Sequence, residues 1–182
     1  MVEQIGNSGE NESQVIVFAG SGIGKTVAAV GIAIRTISAG GKVIFVYFAG
    51  PEHPTLGEIK SATAFGGNWR TIGIKSEAKE PSYLDDFTES VDTVEEAINI
   101  AQTIWSSECD LLVLDNITHH VACGSVDITR IIDIIDSRAP RTSIVLTGVF
   151  APDLLIDRAD VVTNFCNTKQ PGDNDSEYMM GD

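Results

Sequence analysis

Apolar residues along this chain fall into two alternating patterns, and the alternation dictates an order of elements. The first pattern is the short run that is apolar at nearly every position: Gln14 to Ala19, Lys42 to Phe48, Leu111 to Asp115, Thr142 to Thr147 and Val161 to Phe165. Such runs fit strands covered on both faces, as in the interior of a parallel sheet. The second is helical spacing. Val27, Val30, Ala33, Ile34 and Ile37 form one stripe of a helix over about 25–39, closed by Gly40-Gly41, the residue type that tolerates a left-handed end. Thr93-Val94-Glu95-Glu96 reads as a capping box opening a helix with Val94, Ala97, Ile98, Ala101, Ile104 and Trp105 on its inner face. Ser125 reads as the cap of a further helix that buries Ile128, Ile131, Ile132 and Ile135, and Asp153 to Arg158 as a brief one.

Between Ala49 and Ser90 the pattern weakens. Gly50-Pro51 and His53-Pro54 mark a loop, Thr55 to Phe65 a short helix, Asn68 to Ile74 a third strand, and Lys75 to Ser90 a polar stretch. Alternating strands and helices call for an α/β fold: three layers, with a mostly parallel sheet and helices on both faces. The expected organisation is an unstructured lead-in over 1–13, a single domain over 14–168 and a mobile polar tail over 169–182.

Composition narrows the partners. A net charge of −14, with 26 acidic residues against 12 basic ones, argues against non-specific binding to nucleic acid or an anionic membrane. No run of about 18 apolar residues suggests a membrane span, and the polar, acidic start does not read as a secretory signal. Cys109, Cys123 and Cys166 are odd in number and lack a C-x-x-C pair. They are expected to be buried small hydrophobes in a cytoplasmic protein.

Chemistry concentrates where the first strand breaks. After Val15 to Ala19 come Gly20-Ser21-Gly22-Ile23-Gly24-Lys25-Thr26, with three glycines on alternate positions, and then Val27 and the first helix. Strand, glycine turn and helix in this order make a phosphate cradle. Backbone N–H groups converge on an anion, and the helix N-terminus adds about half a positive charge. Gly20 to Val27 are the expected phosphate-contacting residues. Lys25 reaches phosphate oxygens and the Thr26 hydroxyl can serve Mg²⁺, which makes Lys25 and Thr26 the candidate catalytic pair. The usual P-loop, G-x-x-x-x-G-K-[ST], requires glycine at position 19, where this chain has Ala19. Leu111 to Asp115 reads as a Walker B strand whose terminal carboxylate serves Mg²⁺ directly or through water. Asn116 follows where hydrolysing enzymes often carry Glu. An amide takes no proton, though its carbonyl oxygen can ligate a cation. His119-His120 and His53 read as loop residues, because adjacent side chains diverge and make a poor metal pair. Arg35 reads as a surface residue with a nucleotide contact as its alternative role.

Together these motifs resemble the ATP:corrinoid adenosyltransferases of the CobA/CobO/BtuR type. The shortened G-x-G-x-G-K-T, leading into an alanine-containing helix with Arg35 and Gly40-Gly41-Lys42-Val43, is that family's own pattern. Val46-Tyr47-Phe48-Ala49-Gly50 resembles its V-Q-F-x-K-G, and Leu111 to Asp115 its L-x-V-L-D-E. Val145-Leu146-Thr147-Gly148 with Ala151-Pro152 resembles its V-L-T-G-R-x-A-P, and Leu154 to Thr163 its closing helix and strand. Asn116, Val149 and Ala49 depart from the family's glutamate, its basic residue after T-G and its lysine. Phe87-Thr88-Glu89 keeps only part of its F-T-W corrinoid loop, so Phe87 and Thr88 are the candidate corrinoid contacts.

The resemblance implies a RecA-like P-loop domain, a homodimer, ATP with Mg²⁺, and a corrinoid (cobalamin or a precursor) as co-substrate. It also implies a reductase partner that supplies Co(I). The implied reaction is transfer of the 5′-deoxyadenosyl group of ATP to Co(I) with release of triphosphate. Mg²⁺ would be held by Thr26, with Asp115 nearby, directly or through water, and Asn116, in place of the family's glutamate ligand, as a further candidate. Two alternatives stand beside it: a non-catalytic nucleotide- or corrinoid-binding relative that lost the Walker B glutamate, and a RecA-like NTPase.

Overall fold

The computed structural model describes residues 13–48, 64–74 and 89–169, with only the backbone of 89, 90 and 104–108. Seven strands form one sheet: β1 (Val15–Ala19), β2 (Val43–Tyr47), β3 (Trp69–Ile74), β4 (Glu89–Val91), β5 (Leu111–Asp115), β6 (Ser143–Thr147) and β7 (Val161–Asn164). Their order is β4-β3-β2-β5-β6-β1-β7, and every pairing is parallel. The expected "mostly" parallel sheet is therefore wholly parallel among the described residues.

Two apolar layers cover it. The helix α1 (Lys25–Ser38) presses Ala29, Val30 and Ala33 onto Phe18, Val43, Phe45, Leu111, Val113 and Val145. On the other face, α2 (Val94–Glu108), α3 (Ile117–Ala122), α4 (Ile128–Asp136) and α5 (Asp153–Ile156) cover Val15, Val17, Ile44, Val46, Leu112, Leu114, Ile144 and Leu146. Alternate residues of each central strand thus enter opposite cores, which is why those strands read as unbroken apolar runs. The result is a three-layer P-loop domain of the RecA-like kind, with β6 inserted between the glycine-loop strand β1 and the acid-bearing strand β5.

The helix ends follow local chemistry. Gly40, at φ 85°, ends α1, with the Gly40 N–H on Ile37 O and the Gly41 N–H on Thr36 O, a Schellman arrangement. Thr93 caps α2 through the Glu96 N–H at 3.1 Å, while the Glu96 carboxylate reaches back to the Asp92 N–H, one residue beyond the usual capping-box target.

Several expectations need correction. The cap of α4 is Asp127, not Ser125: the Asp127 carboxylate accepts the Thr129 N–H at 2.9 Å. Ile134 joins Ile131 and Ile135 in the core, while Ile132 and Ile128 are only partly buried. The end of the polar stretch forms β4, whose single apolar residue, Val91, gave no periodicity to read. His119 and His120 lie on α3, where a loop was expected. Of the cysteines only Cys109 is buried; Cys123 and Cys166 are exposed. Burial pushes the Cys109 thiol up to about 11. Most of the lead-in, most of the helix expected over 55–65 (its last two residues, Ala64 and Phe65, form a turn), most of the stretch over 75–90 and most of the tail lie outside the described residues.

Candidate functional site

Parallel strands all end on one side of their sheet, so the residues after β1, β5, β6 and β7 meet along one edge. The glycine loop leaves β1 there. Gly20 and Gly24 adopt φ 103° and 105°, backbone that residues with a Cβ rarely take. The loop also lies tight against the chain leaving β7. A Cβ on Gly22 would fall 2.7 Å from the Cys166 backbone nitrogen, and one on Gly20 would collide with the Phe165 carbonyl oxygen.

This contact divides the expected cradle. The Gly20 N–H donates to Val149 O at 3.0 Å, the Gly22 N–H to Phe165 O at 2.9 Å and the Ile23 N–H to Asn167 Oδ1 at 3.1 Å. Those three groups brace the loop instead of pointing into it. The N–H groups of Gly24, Lys25, Thr26 and Val27 find no acceptor among the described residues, and no side chain caps the helix. The open donors at the start of α1, together with exposed Ser21, form the part of the cradle able to receive an anion.

Lys25 folds back over the loop, its Nζ donating to Gly20 O and Gly22 O, each at 2.6 Å. Burial lowers its pKa below the ordinary 10.5, and the nearby Asp115 carboxylate opposes that shift. Beside it, the Thr26 hydroxyl donates to Asp115, at 2.9 Å from Oδ1 and 3.1 Å from Oδ2. Asp115 is only 3% exposed, so it meets whatever occupies the loop chiefly through Thr26. This donor set fits Mg²⁺. With its proton committed to a carboxylate, the Thr26 oxygen presents lone pairs alone, which is what a hard cation requires.

A fourth member was not anticipated. Thr147, the last residue of β6, donates to Asp115 Oδ1 at 2.7 Å and accepts the Asn116 N–H at 2.8 Å. It had the same signature that identified Asp115, a polar residue closing an apolar strand, and that signal was readable. Asn167 had none, because its partner lies 144 residues away.

Asn116 takes φ 65°, the left-handed region that Asn tolerates better than most residues, and begins α3. On that helix, His120 Nε2 lies 2.8 Å from Phe48 O. A carbonyl can only accept, so that nitrogen carries a proton. Exposed His119 lies 3.6 Å from the Cys123 sulfur. No group of three or more His, Cys, Asp or Glu with metal-binding proximity occurs among the described residues. Arg35 is exposed in the last turn of α1, about 15 Å along the axis from Lys25, and is not brought to the loop. Phe87, Thr88 and His53 lie outside the described residues, and no helix among those described is long and apolar enough to cross a membrane.

The chain is 24% identical to the corrinoid adenosyltransferase CobA of Salmonella typhimurium, over 98% of this chain and 89% of that protein. It is likewise 24% identical to the corrinoid adenosyltransferase of Escherichia coli K12, over 92% of this chain and 83% of that one. A solved structure, the Pyrococcus furiosus Hef helicase domain, aligns over 84% of this chain and 35% of that one at 16% identity and a TM-score of 0.49, a likeness without functional weight. Residues 11–181 match the family described as ATP:corrinoid adenosyltransferase BtuR/CobO/CobP. Since that match spans nearly the whole chain and includes every element of the loop site, the protein belongs to the ATP:corrinoid adenosyltransferase family.

Proposed function

We propose that the protein transfers the 5′-deoxyadenosyl group of ATP to the Co(I) centre of a corrinoid. The electron pair of Co(I) forms the new bond to C5′, the C5′–O bond breaks, and inorganic triphosphate leaves with its electrons. The nucleophile belongs to the corrinoid, so the protein has to position two substrates and stabilise a polyanionic leaving group.

The observation that carries this reading is the set Lys25, Thr26 and Asp115 around open helix N–H groups, with an amide at position 116. The set suits triphosphate departure and offers no carboxylate at 116 to activate water. Lys25 swings from the loop carbonyls to the phosphates, and the N–H groups of Gly24 to Val27 fix the triphosphate at the helix end. Thr26 would hold Mg²⁺ through its oxygen, with Asp115 behind it, and the side-chain carbonyl of Asn116 is the further candidate ligand. When bound, Mg²⁺ neutralises charge on the triphosphate. Phe87 and Thr88 are the candidate corrinoid contacts in this reading. A homodimer, a reductase that delivers Co(I) and a cytoplasmic setting complete it.

The test is anaerobic incubation of the protein with MgATP and chemically reduced corrinoid. Adenosylcorrinoid absorbance and equimolar triphosphate are expected; neither product from any corrinoid tried would overturn the proposal. Lys25→Ala should weaken ATP binding at least tenfold by titration calorimetry, by loss of a charge-assisted contact to phosphate. Asn116 favours one second reading, a binding protein that has lost turnover. Asn116→Glu separates the two: a large gain of Mg²⁺-dependent activity would mark a decayed enzyme.

A further inference from the structure

We propose that Thr147 is a positioning residue for the cation site, fixing the Asp115 carboxylate so that it accepts the Thr26 hydroxyl hydrogen bond and leaves the lone pairs of the Thr26 oxygen to the metal. The inference deepens the proposed function and rests on its reading of Thr26 as a Mg²⁺ ligand.

Topology puts Thr147 where it can do this. Strand β6 lies between β1 and β5, so its C-terminal residue stands between the glycine loop and the acid. Three hydroxyl or amide protons then form one directional chain. The Asn116 N–H donates to Thr147 Oγ1 at 2.8 Å, Thr147 donates to Asp115 Oδ1 at 2.7 Å, and Thr26 donates to the same carboxylate at 2.9 Å. A backbone N–H cannot act as an acceptor, so the direction of the first bond is fixed. The Thr147 oxygen is occupied as an acceptor there, and its single proton is directed to Asp115. An ionised carboxylate accepts only, which fixes the Thr26 proton in turn.

Burial makes the chain hard to replace. Thr147 is 2% exposed and Asp115 3% exposed, so water cannot readily stand in for a missing hydroxyl. Removing it would take one hydroxyl donor from Oδ1 and leave the Asn116 N–H, on a residue already at φ 65°, without its Thr147 acceptor. A merely structural threonine would cost stability and overall ATP affinity alike. A positioning threonine would affect the metal-dependent part of binding.

The experiment is titration calorimetry of ATP against wild type, Thr147→Val and Thr147→Ser, each with Mg²⁺ and with EDTA. Loss of a group that orients a metal ligand typically weakens metal affinity 10–100-fold. Thr147→Val should therefore lose at least about tenfold of the Mg²⁺ enhancement of ATP binding while its metal-free affinity stays within about twofold. Thr147→Ser, which keeps the hydroxyl, should stay within about twofold of wild type in both conditions. Full Mg²⁺ enhancement in Thr147→Val, an equal loss with and without metal, or a serine variant as impaired as valine would each overturn the proposal. If Thr147→Val does not fold, the serine variant and a pair of measurements in an Asp115→Asn background decide it. There Thr147→Ser and Thr147→Ala should bind MgATP alike, and a further loss in the alanine variant would overturn the proposal. The readout needs no corrinoid, so Thr147 can be upheld even where no adenosylcorrinoid forms. A wild type without Mg²⁺ enhancement would instead remove the Thr26 reading and this inference with it.

Discussion

At the scale of single residues, Lys25 carries the most testable physics. Its ammonium lies against two carbonyl oxygens and is partly withdrawn from water, and that burial lowers its pKa below 10.5 despite Asp115. A bound triphosphate favours the charged form, so binding ATP raises this pKa again. Below the lowered pKa the amine is protonated with or without ATP, and affinity is insensitive to this group. As pH rises through the lowered pKa, binding must take up a proton and affinity falls. Titrations of ATP from pH 7 towards 10.5 should show that decline in wild type and not in Lys25→Arg, whose guanidinium stays charged throughout. A wild-type profile as flat as the arginine variant would mean that Lys25 does not face the phosphates.

At the scale of elements, the glycine loop was legible from its own residues, but its support was not. Lys25, Thr26 and Asp115 belong to patterns of a few consecutive residues, whereas the brace comes from Val149, Phe165 and Asn167 after later strands. Only the strand order brings those segments beside β1, and no local spacing encodes it. The brace makes two predictions of one kind. Asn167→Ala removes one hydrogen bond that presets the loop, a loss of about 1 kcal/mol or roughly fivefold in ATP affinity. Gly22→Ala should do more, because its Cβ would meet backbone, which cannot swing aside as a flexible side chain can. Calorimetry on both variants checks the order of the effects; equal affinity in all three proteins would show that the brace leaves the cradle unaffected. The misassigned cap of α4 has a similar lesson. Ser125 and Asp127 are both good capping types, and only the extended backbone at Asp127 settles which one closes the helix. The Thr129 backbone and side-chain hydrogen bonds lower the Asp127 pKa from 3.8. The contribution is therefore present above the unfolded value and disappears as pH falls through the folded one. Asp127→Ala should melt below wild type at pH 7, and the gap should close once pH drops well under 3.8. A gap unchanged by acid would show that the carboxylate charge plays no part in the cap.

At the scale of the whole molecule, the alternation of apolar runs was enough for the layers, because central strands buried on both faces and helices buried on one leave different periods. It was not enough for β4, which has one apolar residue, or for α3, whose six residues hold too few turns to show a period. The charge balance, by contrast, is fully written in the sequence and has a consequence that no local feature determines. The chain carries a net charge of −14, and the nucleotide proposed as its ligand is a polyanion. Among the described residues, attraction at the loop comes from the Lys25 ammonium and a helix end, both short-ranged, whereas the net charge acts over a longer range. At low ionic strength, where the screening length reaches about 30 Å, an approaching triphosphate meets the global field before the local one. Salt at about 0.15 M shortens that range to about 8 Å and leaves the loop contacts largely intact. Association of ATP in the absence of Mg²⁺ should therefore accelerate with added salt up to that range, the opposite of a steered, oppositely charged pair. Stopped-flow binding of a fluorescent ATP analogue across a sodium chloride series measures this directly. A rate that falls steadily with salt would show that the field at the loop mouth is positive in spite of the net charge, and that basic residues near it steer the nucleotide in.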